Sequence, residues 1–148
     1  MMTKLGRLLT AMVTPFDEEG GVDYEQAKRL SLALLDSGSD GLVVSGTTGE
    51  RPTLTDEEQL KLFAAVKEAV GNRGTVMAGT GSNCTREGVV MTREAERVGV
   101  DAILLGGVQD TGCVGRHENG VGLATFERLL RRADKKRDFS QQSEAFVG

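Results

Sequence analysis

Asp40-Gly41-Leu42-Val43-Val44-Ser45-Gly46-Thr47-Thr48-Gly49-Glu50 joins a short apolar run to a glycine–threonine turn. Such a run, bounded by turn signals, reads as a strand buried on both faces, which is the mark of a parallel sheet. Three more runs of the same kind flank it: Leu9-Thr10-Ala11-Met12-Val13-Thr14, Thr75-Val76-Met77-Ala78-Gly79-Thr80 and Asp101-Ala102-Ile103-Leu104-Leu105. The runs begin near positions 9, 42, 75 and 102, steps of 33, 33 and 27 residues. Those are the lengths of consecutive βαβ units.

Amphipathic helices fill the gaps. Asp23 with Gln26 three residues on reads as a capping box, and Ala27, Leu30 and Leu34 then share one face before Gly38. Thr55-Asp56-Glu57-Glu58 is a cleaner box, followed by the stripe Leu60, Phe63, Val66 and Val70 and a stop at Gly71-Asn72. Met91, Ala95 and Val98 form the third stripe, which ends at Gly99. Strand–helix alternation of this kind defines an α/β fold. Periodicity leaves a doubly wound sheet and half of a (β/α)₈ barrel equally open.

Composition narrows the class of protein. The chain has 148 residues, 39% hydrophobic and 27% charged, which suits one globular domain. A formal net charge of −4, 4% aromatic residues and no Trp give no reason to expect nucleic acid as a partner. No apolar run approaches a membrane span, and Met1 to Val13 is too short for a secretory core, so neither membrane nor export is expected. Cys84 and Cys113 are lone thiols, compatible with a reducing, cytoplasmic setting.

After Leu105 the pattern changes. Residues 106–148 read as a divergent segment distinct from residues 1–105: a Gly-rich irregular loop to Gly122, a basic helix with Phe126, Leu129, Leu130 and Ala133 on one side, and a fraying tail. His117-Glu118 is no zinc motif, because HExxH requires His where Val121 stands, and no metal is expected. The run from Arg128 to Arg137, interrupted by Asp134, reads as a solvated helix face.

The turn after the second strand is the candidate site. Ligands in α/β sheets bind beyond the carboxyl ends of strands. Gly46 and Gly49 let the backbone turn tightly and present N–H groups to an anion such as a carboxylate, while Thr47 and Thr48 add two hydroxyls. The bland alternative is a turn whose threonines only satisfy nearby backbone. Gly79-Thr80-Gly81-Ser82-Asn83 opens like a dinucleotide fingerprint, but Cys84 replaces the third glycine. It reads instead as a glycine turn in which Ser82 or Asn83 caps the next helix. No cofactor is expected.

Taken together, Thr10-Ala11-Met12-Val13-Thr14-Pro15-Phe16, residues 40–50, Pro52-Thr53-Leu54-Thr55 and Ala78-Gly79-Thr80-Gly81-Ser82-Asn83 resemble the dihydrodipicolinate synthase (4-hydroxy-tetrahydrodipicolinate synthase) family in order and spacing, over residues 8–105. The family belongs to the pyruvate-dependent class I aldolases and lyases. The resemblance implies a (β/α)₈ barrel, usually homotetrameric, and no cofactor. It further implies condensation of pyruvate, held as a lysine imine, with aspartate semialdehyde in lysine biosynthesis. Thr47 resembles the threonine that joins two tyrosines in a proton relay, and Thr48 the residue that holds the pyruvate carboxylate with neighbouring backbone. The double threonine favours the synthase over N-acetylneuraminate lyase. Arg51 departs from the small residue usual there.

The family's Pro-Tyr-Tyr-Asn segment is replaced here by Gly106-Gly107-Val108-Gln109-Asp110, and Tyr24 is the single tyrosine. Lys135 and Lys136 lie in a polar run unsuited to an imine lysine, which needs a desolvated or electropositive site. The expectation is therefore a truncated barrel of about four βα units, inactive alone, associating with itself or with another half-barrel. Its first and fourth strands would be open edges, with Val13, Val44 and Met77 partly wet on the inner face. Two alternatives stand beside it: another pyruvate aldolase or lyase of the family, and a non-catalytic half-barrel that binds a carboxylate or a full-length partner.

Overall fold

The computed structural model describes residues 5–82, 84–105 and 112–115. Strands β1 (Leu9–Ala11), β2 (Gly41–Val44), β3 (Thr75–Gly79) and β4 (Ala102–Leu105) are parallel and lie in the order β1-β2-β3-β4. Helices α1 (Tyr24–Asp36), α2 (Asp56–Val70) and α3 (Thr85–Val98) connect them. This is the parallel α/β architecture expected from the strand spacing and the barrel type expected from the family resemblance, which the described residues carry through three βα units and the fourth strand.

Each helix starts and stops for a local reason. The Asp23 carboxylate accepts the Gln26 N–H at 2.8 Å, although the Gln26 side chain accepts from Arg29 rather than returning the bond, so the box is only half made. The Thr55 box is complete: Thr55 Oγ1 accepts the Glu58 N–H, and the Glu58 carboxylate accepts the Thr55 N–H at 2.8 Å. Those bonds hold the Glu58 carboxyl below its usual range. Gly71 (φ 56°) and Gly99 (φ 90°) end α2 and α3 in conformations that L residues resist. At α3 the expected cap is displaced. Cys84 is the N-cap residue with no side-chain bond, and Ser82 Oγ accepts the Cys84 N–H while donating to Glu87. Asn83 lies outside the described residues.

The core sits between the sheet and the helices. Register aligns Val44, Ala78 and Ile103, which pack with Leu42, Val76, Leu62, Phe63, Val66, Met91 and Ala95. Fully burying one such side chain is worth roughly 1.5–3 kcal/mol. Strand alternation then turns Ala11, Val43, Met77 and Ala102 to the other, inner face. Val44 therefore faces the helices, not the inner side, and Val43 takes the inner position. Met77, on the inner face, is only 1% exposed, so it is not wet, whereas Val13 is 51% exposed as expected.

Two further expectations need correcting. The run Leu9 to Thr14 is not a buried strand throughout: Met12 and Thr14 are buried, but Ala11 and Val13 are exposed. The cause is position, because among the described residues β1 pairs with β2 alone and nothing covers its far side. Gly112–Gly115, read as irregular loop, form a fifth strand, β5, antiparallel to β4 from Ala102↔Gly115 to Leu105↔Gly112. The fourth strand is thus not an edge. The basic helix, the tail, His117, Lys135 and Lys136 lie outside the described residues.

Candidate functional site

The carboxyl ends of β1, β2 and β3 converge on residues 45–50. Past Val44 the chain cannot continue as a strand, since Ser45 adopts a left-handed φ of 55°, and Glu50 does the same five residues later. Between them the turn closes on itself. The Gly46 carbonyl accepts the Gly49 N–H at 3.1 Å and the Arg51 N–H at 3.3 Å, and the Thr47 carbonyl accepts the Glu50 N–H at 3.1 Å. Arg51–Thr53 then form a short 3₁₀ turn with Pro52 early in it, and the Thr53 hydroxyl donates to the Glu50 carbonyl.

The neighbouring strands clamp this turn. Thr14 Oγ1, just past β1, donates to the Gly49 carbonyl at 2.7 Å in a buried contact. On the β3 side, a Cβ on Gly79 would fall 2.3 Å from the Ser45 carbonyl oxygen and 3.0 Å from the Gly46 nitrogen. Only glycine permits that approach. Ser45 itself is buried, with its Oγ unpartnered among the described residues.

Thr47 and Thr48 stand at the crest of the turn, both exposed. Among the described residues neither hydroxyl bonds to anything, and the Gly46, Thr47 and Thr48 N–H groups are not used by the turn. The structure therefore does not favour the bland reading, in which the hydroxyls satisfy local backbone. An exposed arc of free donors beside two hydroxyls, at a strand's carboxyl end, is suited to a small carboxylate.

The other polar groups are elsewhere. Lys28 bridges Glu25 and Glu68, Lys61 pairs with Glu57, and Lys67 pairs with Asp101 at 2.6 Å; all three lysines lie on helices. Glu68 and Glu25, by hydrogen bonding, hold Lys28 above its ordinary pKa, and Glu57 does so for Lys61. Tyr24 packs against the helix-side core, and burial pushes its phenol up. Among the described residues no group of three His, Cys, Asp or Glu side chains is placed to hold a metal ion. No helix among them is long and apolar enough to cross a membrane.

Sequence reasoning found the turn and its two threonines but assigned no role to Thr14, Ser45 or Gly79. Thr14 and Gly79 stand in quoted motifs, yet their partners lie 35 and 34 positions away. No local pattern reports such pairs.

Four parallel strands in sequential order, joined by helices and bearing a donor-lined turn at their carboxyl ends, are the arrangement of the barrel class of α/β proteins. Within that class the chain belongs to the dihydrodipicolinate synthetase family, whose family model matches residues 4–105. It is 67% identical over 104 residues to a 4-hydroxy-tetrahydrodipicolinate synthase of Dehalococcoides mccartyi, a match covering 70% of this chain and 35% of that protein. A dihydrodipicolinate synthase structure from Bacillus anthracis superposes with a TM-score of 0.73 at 38% identity, covering 88% of this chain and 43% of that one. Another, from Acinetobacter baumannii and complexed with pyruvate, gives 0.67 at 35% identity, covering 69% and 35%. The chain thus spans about a third of the length of the curated relatives it matches.

Proposed function

We propose that residues 45–50 hold the carboxylate of pyruvate and that the chain supplies the amino-terminal βα units of a 4-hydroxy-tetrahydrodipicolinate synthase site in the cytoplasm. One observation carries this reading: Thr47 and Thr48 are exposed at the carboxyl end of β2, and among the described residues neither their hydroxyls nor the N–H groups of residues 46–48 make a hydrogen bond. Thr48 and the backbone donors neutralise the carboxylate. Thr47 joins two tyrosines in a proton relay that serves the condensation of pyruvate with aspartate semialdehyde. The pyruvate-bound relative supports the choice of acid.

The imine nitrogen is not supplied by the described residues. Lys28, Lys61 and Lys67 lie on helices with their amines committed to ion pairs with Glu25, Glu68, Glu57 and Asp101, whereas an imine lysine needs a desolvated or electropositive site. The single tyrosine of the sequence, Tyr24, is committed to the helix-side core, so Thr47 has no tyrosine partner among the described residues. The 148-residue chain alone therefore lacks synthase turnover. A coupled assay tests this together with borohydride trapping of pyruvate and mass spectrometry. Pyruvate-dependent turnover abolished by Thr47→Val would overturn it.

A second reading is favoured by the open edge of β1. Its backbone donors and acceptors face away from β2 beside exposed Leu8 and Val13. Association with further βα units, from a second copy or a longer relative, covers that edge. Sedimentation at micromolar concentration showing only a compact monomer would count against it.

A further inference from the structure

We infer that Thr14 is a positioning residue for the carboxylate cradle, holding the donors of residues 46–48 in place through its bond to the Gly49 carbonyl. The inference rests on the reading of residues 45–50 as that cradle. Gly49 is held through both of the peptide units that it joins. Its N–H closes the turn on the Gly46 carbonyl at 3.1 Å, and its C=O accepts from Thr14 Oγ1 at 2.7 Å. The first bond shapes the turn, but only the second ties it to the sheet.

The side chain is well chosen for this work. Thr14 precedes Pro15, which keeps its backbone extended, and its β-branch leaves few χ1 choices. The segment is anchored further on, where the Pro15 carbonyl accepts the Asp23 N–H at 2.9 Å. Thr14 is 5% exposed, so its hydroxyl meets little competition from water. Gly49 sits so close to the end of β1 that a Cβ would lie 3.1 Å from the Met12 carbonyl oxygen. The turn is pressed against β1, and the Thr14 hydroxyl fixes which way its last peptide faces. A Gly49–Glu50 peptide free to rotate there would release the Glu50 N–H from the Thr47 carbonyl, and with it the crest that carries the unused N–H groups of residues 46–48.

The test uses the full chain labelled with ¹⁵N, in wild-type, Thr14→Val and Thr14→Ser forms, titrated with sodium pyruvate. Amide hydrogen exchange is followed in parallel without ligand. Wild type is expected to shift its Thr47 and Thr48 amides on titration. Thr14→Val is expected to weaken pyruvate binding about tenfold and to speed exchange at Gly49 and Arg51 about tenfold, with Val66 and Ala95 unchanged. Thr14→Ser restores both. Wild-type exchange and affinity in Thr14→Val would overturn the inference. So would a rise in exchange spread equally over Val66 and Ala95, since that reports a general structural role. If wild type itself shows no shift at Thr47 and Thr48, the cradle reading falls, while the ligand-free exchange still decides whether Thr14 holds the turn.

Discussion

Two turns of nearly the same composition follow adjacent strands, and their threonines are used in opposite ways. Past β2, Thr47 and Thr48 are exposed with hydroxyls that bond to nothing among the described residues. Past β3, Thr80 is fully buried. Its hydroxyl lies 2.7 Å from that of Thr92, which donates to the Gly88 carbonyl, so Thr80 is the donor of the pair. The Thr80 N–H is also spent, on the Leu104 carbonyl. One turn keeps its donors free and the other gives them to the fold. A glycine–threonine turn at a strand end thus keeps its donors available only where the neighbouring helix has not claimed the hydroxyls.

Gly79 belongs to both turns and offers the sharpest way to break the contrast. Gly79→Ala places a methyl group against backbone of residues 45 and 46, so the free turn must move. A loss of about 1–3 kcal/mol in urea unfolding is expected, the range for overpacked sites. An unchanged midpoint would show that the turn yields freely and is not clamped.

Thr80→Val comes next. It keeps the volume but removes the donor to Thr92, with an expected cost of about 1 kcal/mol. Calorimetry should show a lower melting temperature with no change in pyruvate response, unlike substitutions past β2.

The opposite rim of the sheet supplies a control. The Asp40 carboxylate accepts the Leu8 and Arg7 N–H groups, which holds its pKa below the usual range. Its contribution is full above the unfolded carboxyl value, near about 4, and is lost as pH falls through the lower folded value. Acid should therefore weaken the wild type more than Asp40→Asn, with the difference vanishing at neutral pH only if amide and carboxylate accept equally well. Parallel acid titrations followed by circular dichroism measure the gap, and curves of identical shape would exclude Asp40 as its source.

The smallest effect on stability is expected at Thr47 and Thr48. Thr47→Val and Thr48→Val remove exposed, unbonded hydroxyls, so stability should change by less than about 0.5 kcal/mol. A larger loss in thermal unfolding would mean that the two turns are alike after all.

What could be read in advance follows from range. Strands and helices in the first 105 residues were legible because capping residues, apolar stripes and terminal glycines act within one or two turns of chain. Thr55 with Glu58 is the clearest instance. The inward or outward sense of Val43 and Val44 was not, since a strand apolar on both faces carries no alternation to read. β5 was hidden for a related reason: Gly112–Gly115 has glycine at both ends and no period. At the site, Thr47 and Thr48 announced themselves by composition. Thr14 and Gly79 act across the sheet on residues more than thirty positions distant, and only pairing of β1, β2 and β3 brings them there.

The left-handed residues at either end of the free turn have a consequence for how such a sequence drifts. Ser45 and Glu50 hold φ values of 55°, a conformation that costs an L residue about 1–2 kcal/mol and glycine almost nothing. A change to glycine recovers that strain but gives the unfolded chain extra freedom, an opposing effect of about 0.4–1 kcal/mol. The opposing effect is the smaller of the two. Selection acting on folding alone would therefore accept or mildly favour glycine at either hinge, while the turn between them would gain conformations it does not now visit. Non-glycine residues at both hinges are what a population screened for ligand capture, rather than for thermal persistence, would be expected to retain.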